Sequence, residues 1–325
     1  MPVTDITTDA ENLTLTVIAD FAAPVERVWA AYSDPRQLER FWGPPGWPAT
    51  FTAWDHTVGG RAIYHMTSPQ GEKSSGAWEF LKIEAPHRFE VLDSFVDDDG
   101  DPLAEFPAMR MAFAFDASDV GTRMTTTTYF TSAEALEQVT AMGMVEGTKM
   151  AMSQLDAVLQ DLREYAHGKG TRVELLDDTH VRITRLVDGP RELVWRAYHE
   201  PELMKQWMLG PDGWEMTECV VGTAVGDEYR TSWAPVGDTA GEAFGFEGEM
   251  LLVDAPRREV CTERMQGHDT QTLNDLNLYE EDGVTLITVL GEYPDKETRD
   301  MILATGMVDG MEASYARLER EVLKA

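Results

Sequence analysis

Alternating and helical patterns of apolar residues follow one another along the chain. Residues 13–21 (LTLTVIADF) and 179–187 (THVRITRLV) alternate between apolar and polar positions and are rich in β-branched residues, so each predicts a strand. A helix is predicted after the first strand, because apolar residues then recur at helical spacing: Val25, Val28, Trp29 and Tyr32. Pro35 ends this predicted helix, and Pro201 ends its counterpart in the second half.

The middle of each half predicts an antiparallel meander. Between about residues 49 and 130, short alternating segments are separated by turn sequences such as SPQGE and DDDGD, and the second half follows the same pattern. Each half then closes with a long amphipathic helix. The apolar face of the first helix carries Met144, Thr148, Met152, Leu155, Leu159 and Leu162, and that of the second carries Met307, Met311, Tyr315, Leu318 and Val322.

The chain repeats itself. Residues 24–47 (PVERVWAAYSDPRQLERFWGPPGW) return as residues 190–214 (PRELVWRAYHEPELMKQWMLGPDGW), and a later block, AMGMVEG, returns as ATGMVDG. The two blocks are nearly the same distance apart in both copies, so the repeated unit is a whole domain of roughly 150 residues. The expected organisation is a flexible tail over 1–12, a first domain over 13–164, a linker over 165–171 and a second domain over 172–325.

The charge of the chain excludes some partners. Its 325 residues carry a net charge of −31, which argues against binding to nucleic acid or to anionic membranes. No apolar run approaches the roughly 18 residues of a membrane-spanning helix, and the first residues do not resemble a secretory signal. Cys219 and Cys261 are the only cysteines, and we expect them to be reduced in a cytoplasmic protein.

Further landmarks carry a family resemblance. In the first half they are Val28-Trp29, Pro35, Trp42-Gly43-Pro44, Gly59-Gly60-Arg61, Ile83, Pro86, Arg88 and Gly143-Met144. The second half keeps Val194-Trp195, Pro201, Trp207, Gly210-Pro211, Val253, Pro256, Arg258 and Gly306-Met307. It departs from the pattern where Gly226-Asp227-Glu228 replaces Gly-Gly-Arg.

These landmarks resemble the START/Bet v-type helix-grip superfamily (SRPBCC) and, within it, the family of the activator of heat-shock-protein-90 ATPase homologue. The resemblance implies an α+β fold of two tandem helix-grip domains, each a curved antiparallel sheet wrapped around a long C-terminal helix. It leaves the function open, because this superfamily includes lipid binders, polyketide cyclases and co-chaperone domains.

A cavity between sheet and terminal helix is the expected site, lined by aromatic and methionine side chains. Met adapts to ligands of irregular shape, and Tyr64 and Met66 alternate onto one face of their strand. The predicted lining is Trp42, Trp47, Tyr64, Met66, Met144, Thr148, Met152, Trp207, Trp214, Tyr229, Trp233, Met307, Met311 and Tyr315. Trp29 and Trp195 are assigned to core packing. We expect no metal or cofactor and interpret DDDGD (97–101) as a solvated turn, since it lacks calcium-loop spacing.

Three functions follow as hypotheses. The favoured one is non-catalytic binding of a small hydrophobic molecule in one or both domains. The second is a co-chaperone-like role with a chaperone or another protein partner. The third is a cyclase- or hydrolase-like enzyme with a buried acid or base, for which Asp93, Glu90 and Glu263 are the candidates. The duplication also makes a pairing of the two domains within one chain conceivable.

Overall fold

A computed structural model describes residues 2–97, 99–159, 170–210 and 213–324. The chain divides into two compact units, Met1–Gln160 (unit 1) and Asp161–Ala325 (unit 2). Most of the predicted linker over 165–171 lies outside the described residues, as do Leu162 and Pro211.

Unit 1 contains an eight-stranded antiparallel sheet. Its strands are β1 (Val3–Asp9), β2 (Thr14–Phe21), β3 (Ala49–Trp54), β4 (Arg61–Thr67), β5 (Lys73–Glu84), β6 (Arg88–Phe95), β7 (Met109–Ser118) and β8 (Gly121–Tyr129). Their spatial order is β1-β2-β8-β7-β6-β5-β4-β3, so the predicted meander of β3 to β8 is closed by β2. The tail predicted over 1–12 is wrong for Val3–Asp9, which pairs with β2 as an edge strand, with Ile6 opposite Val17.

The helices of unit 1 are α1 (Val25–Ser33), α2 (Pro35–Leu38), α3 (Ala133–Ala141) and α4 (Met144–Val158). Their ends follow from side-chain caps and one glycine. The Asp34 carboxylate caps α2 by accepting from the backbone N–H of Arg36 at 2.8 Å, and the Ser132 hydroxyl caps α3 in the same way. Gly143, with φ of 91°, separates α3 from α4 because the left-handed region suits glycine.

Unit 2 repeats this architecture. Its strands are β9 (Arg172–Leu175), β10 (His180–Val187), β11 (Trp214–Val220), β12 (Glu228–Pro235), β13 (Phe244–Asp254), β14 (Arg258–Met265), β15 (Gln271–Glu281) and β16 (Val284–Glu292). Its helices are α5 (Arg191–His199), α6 (Pro201–Trp207), α7 (Lys296–Leu303) and α8 (Met307–Arg317), with a π-helical continuation over Leu318–Leu323. The strand order β11-β12-β13-β14-β15-β16-β10-β9 is the order found in unit 1.

Two antiparallel sheets, each followed by helices, confirm the predicted α+β class and its tandem helix-grip domains. None of the described helices combines the length and the apolar character that crossing a bilayer would require.

The two units differ in a pair of equivalent hairpins. Gly59 and Gly226 are equivalent, because each has a φ near the left-handed region (85° and 87°) and donates its N–H to the neighbouring strand, at Phe80 or Met250. We compared positions at the same distance from these glycines. Where unit 1 has the larger residue of an opposed pair on one strand of the hairpin, unit 2 has it on the other strand. The directly opposed pairs are Ala62–Trp78 and Tyr64–Gly76 in unit 1, and Tyr229–Gly248 and Thr231–Phe246 in unit 2.

The core of unit 1 is dominated by aromatic rings. Trp29 meets Phe89 and Phe115 edge to face, at centroid distances of 5.8 and 5.7 Å. In unit 2, Trp195 is also buried, but its ring stacks on His199 at 4.0 Å. Both tryptophans therefore pack helix α1 or α5 into the interior, as the sequence predicted.

Candidate functional site

Asp93 places a carboxyl group on the inner face of β6 in unit 1. The hydroxyl of Tyr64, from β4, lies 3.4 Å from Asp93 Oδ1. Burial raises the pKa of Asp93 to about 7. The indole N–H of Trp78 and the Tyr64 hydroxyl oppose this rise, although the indole falls short of a well-formed hydrogen bond. Asp93 nevertheless keeps part of its surface accessible.

Three rings pack edge to face against one another next to this carboxyl group. Trp42, at the corner after α2, stands at 84° to Trp78 and at 88° to Tyr64, with centroids 4.7 and 6.3 Å away. Tyr64 and Trp78 stand at 72° to each other, 6.4 Å apart. The corner is tied to helix α4, because the Gln154 amide donates to the Gly43 carbonyl at 2.7 Å. We call the accessible side of Asp93, next to these three packed rings, the first hollow.

Glu263 occupies the equivalent place on β14 in unit 2. Asp93 and Glu263 each lie seven residues after the proline of a repeated turn, Pro86 or Pro256. The Tyr229 hydroxyl lies 3.3 Å from Glu263 Oε2 and 3.1 Å from the Thr262 carbonyl, and can donate to either. Burial raises the pKa of Glu263, which is half-buried like Asp93. We call the space beside Glu263 and Tyr229 the second hollow.

Glycine makes room for both tyrosines. A Cβ at position 76 would lie 2.5 Å from Tyr64 Cζ, and one at position 248 would lie 2.7 Å from Tyr229 Cε1 and 1.8 Å from the Thr262 oxygen. Each tyrosine ring can therefore cross a neighbouring strand and reach the carboxyl group beyond it only because that strand offers a glycine there.

Unit 2 also holds an internal ion pair. His199, the last residue of α5, directs Nε2 at Glu259 Oε2 over 2.6 Å and Nδ1 at the Trp195 carbonyl over 2.8 Å. Burial lowers the pKa of His199, but the hydrogen bond and charge of Glu259 outweigh it and raise the pKa overall. Because both ring nitrogens face acceptors, the imidazole is held as a doubly protonated cation.

The cysteines do not provide a nucleophile. Cys261 lies between Glu259 and Glu263 on the inner face of β14, and burial together with both carboxylates raises the pKa of its thiol. Cys219 is free as well, with Sγ 3.5 Å from Met204 Sδ, and burial raises its pKa. Both thiols are therefore protonated near neutral pH and carry little of the reactive thiolate.

The acidic candidates separate into two groups. Asp93 and Glu263 face inward, whereas Glu90 pairs with Arg110 at 2.7 Å in a half-buried contact. In the acidic turn, the Asp97 carboxylate accepts from the backbone N–H groups of Asp99 and Asp101, and Asp98 lies outside the described residues.

The predicted lining of unit 1 is buried or half-buried throughout. Trp42 and Tyr64 come together in the first hollow. Met66, Met144 and Met152 pack with the unit 1 core, and Trp47 and Thr148 are half-buried. The prediction missed Trp78, which is fully buried in the wall of the hollow.

The predicted lining of unit 2 is split among several clusters. Trp207 stacks on Tyr315 at 6.0 Å, and the Tyr315 hydroxyl accepts from Tyr198 at 3.1 Å. Trp214 and Trp233 belong to a separate cluster around Phe244. Met307 and Met311 pack near Val181 and Ile183, and Tyr229 lies in the second hollow.

An open groove of about 490 Å³ lies elsewhere on unit 1, at the start of α1. It is lined by Pro24, Val25, His87 and Val120, among others, and by none of the predicted ligand residues. The groove and the first hollow are therefore different features.

Comparisons with known proteins agree with this architecture. The family model described as activator of Hsp90 ATPase homolog 1-like protein matches residues 22–160 and 188–322. No curated protein matches the chain. Among solved structures, a crystal structure of a Mycobacterium smegmatis protein shares 48% identity over 49% of this chain and 98% of its own, with a TM-score of 0.47.

Two solution structures are also similar. A protein from Arthrobacter aurescens shares 45% identity over 48% of this chain and 91% of its own, with a TM-score of 0.47. An AHSA1-like protein from Aeromonas hydrophila shares 23% identity over 45% of this chain and 95% of its own, with a TM-score of 0.37.

The family model covers both units and more than half of the chain. Domains of this fold serve as ligand-binding or co-chaperone-like modules. The chain thus belongs to the family of activator of Hsp90 ATPase homolog 1-like proteins, and carries two copies of its domain.

Proposed function

We propose that this chain binds a small, mainly apolar molecule between sheet and terminal helix in one or both of its units. One observation carries the proposal: Asp93 and Glu263 are enclosed enough for burial to raise their pKa, and yet both remain partly accessible. A partly buried carboxyl group of this kind can serve as the polar contact of a mainly apolar ligand held beside it.

The surroundings of the two carboxyl groups favour binding over catalysis. Ligand sites are mostly apolar with a few placed polar groups that fix orientation. In the first hollow, the aromatic rings supply apolar surface and Asp93 supplies the polar group. In the second, Tyr229 and Asn274 engage Glu263. A binding role therefore requires no group beyond those that line the two hollows.

Mass spectrometry of the freshly purified chain tests this proposal. We expect the native protein to carry an adduct of small mass that is lost on denaturation, because an enclosed apolar ligand survives purification when it dissociates slowly. A native mass equal to the sequence mass, together with no uptake of apolar fluorescent probes, would contradict it.

Matched variants locate the site. Thr148→Trp on α4 places a large ring on the inner face of the helix of unit 1, and Met311→Trp does the same on α8 of unit 2. We expect the variant of the occupied unit to lose uptake. Met150→Trp is the control, since Met150 is 43% exposed on the same helix. If all three variants take up ligand like the unmodified chain, the site lies elsewhere.

A further inference from the structure

The groove at the start of α1 is open in unit 1, whereas the equivalent place in unit 2 holds a carboxylate. We propose that the groove of unit 1 binds a small carboxylic acid, whose carboxylate accepts from the first backbone N–H groups of α1 while its apolar part lies along the groove. The groove is separate from the first hollow, so this inference does not depend on the proposed function.

Strand register shows that the two places are equivalent. Thr122 of β8 and Thr285 of β16 each donate the side-chain hydroxyl over 2.7 Å to the carbonyl of the residue before the proline that starts the helix. Ala117 on β7 lies directly opposite Thr122, and Glu280 on β15 lies directly opposite Thr285. Ala117 and Glu280 therefore occupy the same position relative to the starts of α1 and α5.

In unit 2 the side chain of Glu280 reaches the start of α5. Its Oε2 accepts from the backbone N–H of Arg191, the first residue of that helix, at 2.7 Å. The first N–H groups of a helix have no partner within the helix and lie at the positive end of its dipole, so they favour a carboxylate. Unit 2 thus contains an example of the group that this position binds.

Unit 1 has the same donor without the acid. Its N-cap, Pro24, has no side chain that accepts a hydrogen bond, and Ala117 is too short to take the role of Glu280. Among the described residues of the chain, none accepts from the backbone N–H of Val25, the counterpart of Arg191. The donor that is satisfied internally in unit 2 is therefore available to a ligand in unit 1.

The groove provides the rest of the site. Its volume of about 490 Å³ is within the range of small-molecule sites, and its lining includes Pro24, Val25, Ala117 and Val120. Val120 is 62% exposed in the turn between β7 and β8, so it offers apolar surface to a ligand. A short apolar chain can lie on these residues while its carboxylate meets the helix.

Glu26 also lines the groove, and its charge opposes an anion. Its counterpart in the first turn of α5, Glu192, does not keep Glu280 away. In unit 2, however, the guanidinium of Arg191 lies 3.6 Å from Glu192, and unit 1 has the uncharged Val25 instead. We therefore expect Glu26→Gln to tighten the binding of a carboxylate at least about twofold.

Hexanoate and its neutral analogue hexanamide test the site on the full chain at neutral pH. Each is titrated while the backbone amide signals are followed by NMR. We expect hexanoate to bind at least about fivefold more tightly, because a charged acceptor forms the stronger N–H hydrogen bond and interacts with the helix dipole. The amide signal of Val25 should shift in proportion to binding. Equal binding of the two probes, or a Val25 signal that does not respond, overturns the proposal.

Placing an internal carboxylate in unit 1 should close the site. Ala117→Glu reproduces the arrangement of Glu280, so we expect hexanoate affinity to fall at least about tenfold while the melting temperature stays the same or rises. The matched control is Ala114→Glu, which adds the same charge on the other face of β7, opposite Arg88, and should leave binding unchanged. Undiminished binding in Ala117→Glu, or an equal loss in both variants, contradicts the site.

Removing the donor tests the backbone contact itself. Val25→Pro deletes the N–H at the first position of a helix, where proline is well accepted, and should bind hexanoate no more tightly than hexanamide. Val25→Ala keeps the N–H and should retain the preference for hexanoate, with weaker binding of both probes because apolar surface is lost. A preference that survives in Val25→Pro, or that disappears in both variants, shows that this N–H does not recognise the ligand and overturns the proposal.

Discussion

Unit 1 and unit 2 share one frame, but they line its interior with different chemistry. On the inner face of the strand after the repeated proline turn, unit 1 presents Phe89, Val91 and Asp93, and unit 2 presents Glu259, Cys261 and Glu263. Unit 1 fills the base of this strand with stacked rings, since Phe89 lies 4.3 Å from Phe113. Unit 2 places an ion pair there instead.

This difference shows that a buried charge in such an interior is accompanied by a residue of opposite charge. Glu259 faces His199, which ends α5 at the position where Ser33 ends α1. The C-terminal end of a helix also favours a cation. The two substitutions are mutually dependent, because either charge alone would be buried without compensation.

Introducing only one of these two charges into unit 1 should have the largest effect on stability. Phe89→Glu puts a carboxyl group against Trp29 and Phe113, with Ser33 rather than histidine at the end of α1. We expect a loss of about 4 kcal/mol or more in the free energy of unfolding, measured by urea denaturation with tryptophan fluorescence. Phe89→Leu is the control and should cost about 1–2 kcal/mol. Similar losses in both variants would show that charge is not what separates the two interiors.

Removing the negative charge of Glu259 in unit 2 should have the second largest effect on stability. Glu259→Gln leaves the His199 cation poorly compensated, with 10% and 13% exposure of the two side chains in the pair, and should cost about 3 kcal/mol. The folded pKa of His199 is raised, so the stability from this pair is fully present below its unfolded pKa and is lost as pH rises through the folded value. We expect the melting temperature of unit 2 to fall across that window, and Glu259→Gln to flatten the profile. An unchanged profile would contradict the ion pair.

Replacing Asp93 in unit 1 should have the opposite effect and raise the free energy of unfolding. Because burial raises the folded pKa of Asp93 from 3.8 to about 7, the folded state loses stability as pH rises between these values. Asp93→Asn should therefore stabilise unit 1 at pH 8, by an amount on the order of 2 kcal/mol, and by much less at pH 4. Thermal melts at the two pH values measure this difference. A destabilisation at pH 8 would mean that Asp93 has a cationic partner in the folded protein.

The smallest effect is expected on the outer face of the same strand. Glu90 and Arg110 form a contact in which the side chains are 27% and 41% exposed. Glu90→Gln should change the free energy of unfolding, measured by urea denaturation, by less than about 1 kcal/mol. A loss as large as that expected for Glu259→Gln would contradict a minor role for this outer-face pair.

Much of the fold could be predicted from the sequence because its signals are local. The helical spacing around Trp29 and the alternating strands between turn residues each depend on only a few neighbouring positions. The repeat then shows the same patterns a second time, in the second half of the chain. Strand β1 was missed, since VTDITTD has apolar residues only at Val3 and Ile6 and is half-buried or exposed throughout. Its conformation depends on pairing with β2, which is tertiary information.

The candidate site could be predicted only in part. Asp93 and Glu263 were singled out as inward acids, and their equal offset from Pro86 and Pro256 is a signal that would have paired them. His199 and Glu259 are 60 residues apart and match no motif, so their contact emerges only from the fold. The position of Trp78 in the hollow depends on strand register, which shifts between Phe80 and Lys82.

The exchanged hairpin pairs also constrain how the gene for this chain can rearrange. A crossover between the two repeats that joined β4 to β13 would place Ala62 opposite Gly248 and Tyr64 opposite Phe246, a gap beside a crowded pair. The reciprocal product would set Tyr229 against Trp78 and Thr231 against Gly76. Recombinants with breakpoints inside this hairpin should therefore express poorly, whereas those with breakpoints at Gly59 or Gly226 keep each pair together. The two strands of this hairpin can therefore be exchanged between the copies only as one unit.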